Sequence, residues 1–135
     1  MHKAYLSLGS NIGDRQQAVT RAIELLNARA GQVLKVSSLH ETEPWGFHSD
    51  NRFLNAAVSM LTTLTPKRLL AVTQGIEREL GRTEKSVEGR YADRVIDIDI
   101  LLYDEEKIDT PELKIPHPLM WKRSFVIEPL KEILP

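Results

Sequence analysis

The chain of 135 residues contains no cysteine. Disulfides and thiolate metal sites are therefore excluded, and the composition suits a reducing compartment. Long apolar runs are missing too. No window approaches the ~20 apolar residues that a membrane span needs, and Met1-His2-Lys3-Ala4-Tyr5 enters a strand-like run without the apolar stretch of a signal peptide. The expectation is a cytoplasmic protein with no membrane partner. Neither charge sign is in surplus: 18 basic and 19 acidic side chains leave a formal net charge of −1, which gives no electrostatic footprint for nucleic acid. Aromatics are scarce, with two Trp, three Tyr and three Phe, so an aromatic in a loop calls for explanation. Repeats, low-complexity runs and linkers are absent as well, and a single domain over 1–135 is expected.

What is present centres on Arg94-Val95-Ile96-Asp97-Ile98-Asp99-Ile100-Leu101-Leu102. Its period-two alternation and β-branched content predict a strand. Ile96, Ile98 and Ile100 then share one face and Asp97 and Asp99 the other, the aspartates roughly 6–7 Å apart. Two carboxylates on one strand face suit a hard cation such as Mg²⁺, which prefers oxygen ligands and phosphate partners. A solvated face of an antiparallel sheet would alternate in the same way. Ahead of them, 82–94 has no periodicity and carries Arg82, Lys85, Arg90 and Arg94. A loop of that length is commonly functional. Cations beside paired acids are the parts phosphoryl transfer requires, and a closing loop can exclude water.

The rest of the chain supplies a frame. Ala4–Leu8 reads as a strand, Gly9-Ser10-Asn11-Ile12-Gly13 as a tight turn, and Asp14 as the cap of a helix reaching Ala30 and stopping near Gly31. Val33–Leu39 is a second strand. Glu41–Asp50 is turn-rich yet holds Trp45 and Phe47, which either tuck onto the core or cover a ligand. Phe53–Leu61 is a third strand, with Phe53 and Asn55 facing the same way. An amide beside an aromatic can read the edge of a flat heterocycle, although bonding to nearby backbone is the commoner use. Thr65-Pro66 starts a second helix, which Gly81 ends. On it Gln74 and Glu77 are neighbours, and by themselves an ordinary solvated pair. Lys107–Asp109 and Leu113–Ile115 can pair as short strands. His117, pinned between two prolines, is equally a phosphate donor and a surface residue. Met120–Leu130 has helical character with Pro129 as a break. The order predicts an α+β, ferredoxin-like βαββαβ sandwich: a mainly antiparallel sheet, helices packed on one face, and a small C-terminal appendage. That fold hosts many functions and decides none.

Several separated pieces, in order, resemble the 6-hydroxymethyl-7,8-dihydropterin pyrophosphokinase family of the folate pathway. They are Gly9-Ser10-Asn11, Thr42-Glu43-Pro44-Trp45-Gly46, Phe53-Leu54-Asn55-Ala56-Ala57, Arg94 to Leu101, Ile115-Pro116-His117-Pro118 and Arg123-Ser124-Phe125. The resemblance covers essentially the whole chain, and Asp93–Leu101 is its most specific block. It implies transfer of the pyrophosphoryl group of ATP to the hydroxymethyl oxygen of the pterin, with release of AMP. Asp97 and Asp99 would hold two Mg²⁺ ions, and Arg82 and Arg94 would stabilise the moving phosphates. The pterin would lie against Phe125 and Tyr91 or Trp45, in a site that also includes Thr42, Glu43, Phe53 and Asn55. Gln74, Glu77, Lys85, Arg94, Ile100, His117 and Arg123 would form the ATP site. The implied partners are these two small molecules, and the implied state a monomer. Departures are Tyr91 where the family often has Trp, a slightly longer 82–94 loop, and Glu112 and Lys114 at positions where relatives place other polar nucleotide contacts. The reading from another class, a ferredoxin-like RNA or small-ligand module without catalysis, lacks a basic face and leaves the two aspartates unexplained.

Overall fold

The structure, a computed structural model, describes residues 1–43, 51–81 and 95–135. Within them the chain forms β1 (His2–Ser10), α1 (Arg15–Arg29), β2 (Gln32–Val36), β3 (His40–Thr42), β4 (Phe53–Thr62), α2 (Pro66–Glu79), β5 (Asp97–Tyr103), β6 (Ile108–Asp109), β7 (Lys114–Ile115) and α3 (Ser124–Ile133). A single 3₁₀ turn, Met120–Lys122, leads into α3. This is a mixed fold with an antiparallel sheet and, among the described residues, three α-helices. None of these helices is long and apolar enough to cross a membrane.

The main sheet runs β2-β4-β1-β5, and every pairing in it is antiparallel. β3 joins the same edge of β4 as β2, so the two are successive pieces of one interrupted edge. The sequence suggests one strand over Val33–Leu39 and a turn from Glu41; in the structure the edge breaks at 37–39, inside the expected strand, and resumes over His40–Thr42, past the expected start of the turn. The gap is bridged by Ser37, whose backbone N–H donates to Ala57 C=O at 2.9 Å while its hydroxyl accepts from Ala57 N–H at 2.8 Å. A side chain has taken over a ladder bond, which lets the strand bend without orphaning the β4 backbone.

The helix boundaries follow local chemistry. Asp14 accepts from Gln17 N–H at 3.1 Å and Thr65 from Arg68 N–H at 3.2 Å, each satisfying one of the donors a helix start leaves open. After α1 the chain passes so near β4 that a Cβ at Gly31 would lie 2.0 Å from Leu61 O. Only glycine fits there.

Alternation along the strands divides the core in two. Ala4, Leu6 and Leu8 of β1, Ala56, Val58 and Met60 of β4, and Ile98 and Ile100 of β5 face α1 and α2, where Val19, Leu26, Leu69 and Ile76 meet them. On the opposite face Tyr5, Ala57 and Leu101 meet Met120, Val126, Leu130 and Ile133. α1 and α2 share one face, and the C-terminal segment, expected as a small appendage, covers part of the other through α3. Pro129 does not break α3, which continues through it to Ile133. Burial of Val126, Pro129, Leu130 and Ile133 on the sheet outweighs the one intrahelical bond that proline removes. The register of β5 on β1 slips between Tyr5 and Leu6, so that Leu6 pairs with Ile100 and Tyr5 with Leu102. This irregularity turns both Leu101 and Leu102 toward α3.

Candidate active site

α3 leaves the end of its sheet face nearest Asp97 to polar side chains. Gly9 of β1 pairs with Asn55 of β4 on one side and with Asp97 of β5 on the other. Ser7 pairs in the same way with Ala57 and Asp99. Asp97, Gly9 and Asn55 thus form a row across three strands, spanning about 9–10 Å at ordinary strand spacing. Gly9 leaves little room in the middle of that row. A Cβ there would stand 3.0 Å from Asn55 Oδ1, close enough that the amide would have to shift by a few tenths of an ångström, and in ordinary contact with the Phe53 ring at 3.4 Å.

Asn55 is only 2% exposed. Its Nδ2 donates to Thr42 Oγ1 at 2.6 Å and toward His40 C=O at 3.4 Å, which sets the orientation of its amide. Glu43, beyond β3, is paired through Arg52 Nε at 2.9 Å. Arg15 binds both shoulders of the β3–β4 connection: it donates to Arg52 C=O at 2.9 Å and to the Glu41 carboxylate at 3.2 Å.

Asp97 and Asp99 are half-buried on β5. Their strand is held from the other face by Glu77, which is 5% exposed and accepts from Ile98 N–H at 2.8 Å through Oε2. The solvated Gln74–Glu77 pair suggested by spacing alone is therefore not what α2 presents. Gln74 is exposed and Glu77 is inside, because the β5 N–H needs a partner and an anion is a strong one. Gln74 lines a cleft of about 500 Å³ between the start of α2 and the β6–β7 hairpin, with Leu70, Ile108, Glu112 and Leu113. Ile100 points into the helix-side core, opposite the aspartates.

His117 feels both ends of the site. Burial is the main cause of its lowered pKa; the nearby Arg123 charge lowers it further, and Asp97 opposes. Leu119 N–H donates to its Nδ1 at 3.3 Å, which leaves the proton of the neutral ring on Nε2. Arg123 is buried, with its guanidinium 5.6 Å from the centre of the Phe125 ring. The structure thus brings together Asp97, Asp99, Asn55, Thr42, Phe53, His117, Arg123 and Phe125 on or beside one sheet face.

The model for 7,8-dihydro-6-hydroxymethylpterin-pyrophosphokinase matches residues 5–135. The chain belongs to that family. It is 54% identical over 132 residues to the 2-amino-4-hydroxy-6-hydroxymethyldihydropteridine pyrophosphokinase of Porphyromonas gingivalis, covering 97% of this chain and 90% of that protein. With the Bacillus subtilis protein of the same name it shares 50% over 131 residues, covering 96% and 77%. Among solved structures, the Plasmodium falciparum HPPK-DHPS wild type superposes with a TM-score of 0.74 at 17% identity. That match covers 99% of this chain and 38% of the larger one, and at such identity it speaks for the fold alone.

For a pyrophosphokinase of this family, Trp45, Arg82, Lys85, Tyr91 and Arg94 remain important sequence expectations, and all five lie outside the described residues. The sequence suggests a tight turn from Gly9; in the structure Gly9 is still in β1 and forms the floor between Asn55 and Asp97. Its only sequence signal is a glycine at the end of an apolar strand. Only strand order brings Asn55 and Asp97 to its two sides.

Proposed function

We propose that the chain is an ATP-dependent pyrophosphokinase that converts 6-hydroxymethyl-7,8-dihydropterin to its diphosphate in folate biosynthesis. The observation that carries this reading is the row Asp97–Gly9–Asn55, with paired carboxylates at one end and an oriented amide at the other, in a chain of this family. The hydroxymethyl oxygen bonds to the β-phosphorus of ATP as the bond from that phosphorus to the α,β-bridging oxygen breaks. The bridging oxygen leaves on AMP with the electron pair, and the hydroxyl loses its proton.

Asp97 and Asp99 offer an oxygen-only donor set, which fits Mg²⁺ and does not favour softer metals. When bound, Mg²⁺ would neutralise phosphate charge and make the hydroxyl more acidic. The chain's own groups do the remaining work. Neutral His117 offers Nε2–H to a phosphate oxygen, and Arg123 adds positive charge on the same side. Arg82, Arg94 and Lys85 would meet the phosphates. Phe125, with Tyr91 or Trp45, would stack on the pterin, while Asn55, Thr42, Glu43 and Phe53 fix its edge and position. Gln74 and the backbone near Ile100 would border the nucleotide, with Glu77 bracing β5 beneath. Counting β2 and β3 as one edge, the order β2-β4-β1-β5 supports the ferredoxin-like reading. A cytoplasmic monomer remains the working assignment.

The test is AMP formation from ATP and the reduced pterin with and without Mg²⁺. Turnover that requires both pterin and Mg²⁺ is expected. Failure to form AMP under saturating substrates would overturn the reading. Arg94→Ala should lower turnover more than pterin binding, because its charge is most useful to the transition state. A loss confined to pterin affinity would contradict that role.

A further inference from the structure

The two sides of the proposed pterin site belong to segments far apart in the chain. Thr42 and Asn55 stand on β3 and β4, whereas Phe125 stands on α3. Phe125 packs against the apolar cluster under α3, where the helix's own hydrogen bonds are thinned. No side chain caps the start of the helix. Pro129, four residues after Phe125, has no N–H to give to the Phe125 carbonyl.

The far end of α3 is held from outside. The Glu132 carboxylate accepts from Ser38 N–H at 2.8 Å and from the Ser38 hydroxyl at 2.8 and 2.9 Å, and it meets His40 Nε2 at 2.5 Å. Hydrogen bonds to a charged acceptor are the stronger kind. Their pull holds the Glu132 carboxyl down to about 2, the Ser38 amide contributing most, then His40 and the Ser38 hydroxyl.

Glu132 and Phe125 are separated by nearly two helical turns, so they leave α3 on the same side, about 10 Å apart along its axis. His40 is the register partner of Asn55, and its carbonyl faces the amide that also binds Thr42. A continuous set of contacts therefore runs from Glu132 through His40 to Asn55 and Thr42.

We propose that Glu132, gripping Ser38 and His40, is a positioning residue that sets the gap between Phe125 and the Asn55–Thr42 edge, and with it the affinity for the pterin. The inference rests on the pyrophosphokinase reading above. Glu132 is not among the residues assigned to the pterin; it acts by fixing α3 against β3 through Ser38 and His40.

The experiment compares AMP formation by the full chain, Glu132→Ala and Glu132→Gln, with KM measured separately for pterin and ATP and with thermal melting of each protein. Glu132→Ala should raise the pterin KM about tenfold and leave kcat and the ATP KM within about twofold. Glu132→Gln keeps an oxygen acceptor for the Ser38 amide and should recover most of the loss. An unchanged pterin KM in Glu132→Ala overturns the proposal. So does an ATP KM that rises in step with the pterin KM, because that marks general loosening. If Glu132→Ala fails to fold, His40→Gln decides by the same split between the two substrates. Wild-type protein that forms no AMP refutes the pyrophosphokinase reading itself, whereas active wild type with an indifferent Glu132→Ala refutes only the clasp.

Discussion

On the side of the sheet toward α1 and α2, Leu6, Leu8, Val58, Met60, Ile98 and Ile100 form a closed apolar layer. On the other side the same strands present Tyr5, Ala57 and Leu101 to α3 at one end, and Gly9, Asn55, Asp97 and Asp99 at the other. Neighbouring residues on one strand thus part company: Ile98 is buried in the core, while Asp97 and Asp99 face the candidate site. The period-two geometry of a strand makes this possible, because a rigid apolar face holds the alternate side chains in place without touching them. Glu77 strengthens the arrangement from the helix side by holding Ile98 N–H.

The contrast can be broken from either face. The largest effect is expected on the polar one. Asp97→Asn or Asp99→Asn should lower kcat/KM on the order of 10³-fold, about 4 kcal/mol, with little change in melting temperature. Unchanged turnover in both variants would remove their assignment as metal-holding residues.

The converse change, Leu6→Ala, should cost about 3 kcal/mol of stability, as expected for a truncated leucine in a closed core. Measured by denaturant unfolding, it should leave substrate KM values nearly intact in the protein that remains folded. A KM rise without a stability loss would show that the two faces are not separable in this way.

Gly9→Ala tests the floor between them. The added methyl would crowd Asn55 Oδ1 at 3.0 Å and shift its amide, and a pterin KM raised about fivefold, roughly 1 kcal/mol, is expected. An ATP KM that rose instead would put the nucleotide, and not the pterin, over Gly9.

The smallest effect concerns acid. Both His117 and Glu132 have folded-state pKa values below their ordinary 6.5 and 4.5. In each case the unfolded chain binds the proton more readily, so stability falls as pH falls. The His117 contribution is complete above 6.5 and declines below it. The Glu132 contribution is complete above 4.5 and is lost as pH approaches about 2. Melting temperature against pH should therefore drop in two stages, and Glu132→Gln should flatten the lower one. A lower stage that persists unchanged in that variant would assign it to other carboxylates.

Much of the frame was readable one residue at a time. Asp14 and Thr65 cap their helices through backbone N–H groups three residues away, so sequence neighbours suffice to identify them. The strand period of Ile96, Ile98 and Ile100 is equally local, as is the pairing of Ile108–Asp109 with Lys114–Ile115. What escaped depends on distant partners. The break between β2 and β3 relies on Ser37 meeting Ala57, and the burial of Glu77 on an N–H of β5. Glu132 lies beyond the helical stretch that the sequence suggests, Met120–Leu130, and gains its role only when Ser38 and His40 are brought to it.

Sequence alone thus determined which residues lie on which side of β5, where the first two helices begin, and, through family resemblance, the chemistry to expect. Backbone periodicity and capping act over a few residues, so that information is present in any short window. Tertiary structure alone decided that Gly9 stands between Asn55 and Asp97, that α3 closes only part of the second face, and that Glu132 ties this helix to the edge strand. Each of these depends on which strands become neighbours, and that is settled by burying apolar faces across the whole chain, not by any residue's immediate sequence.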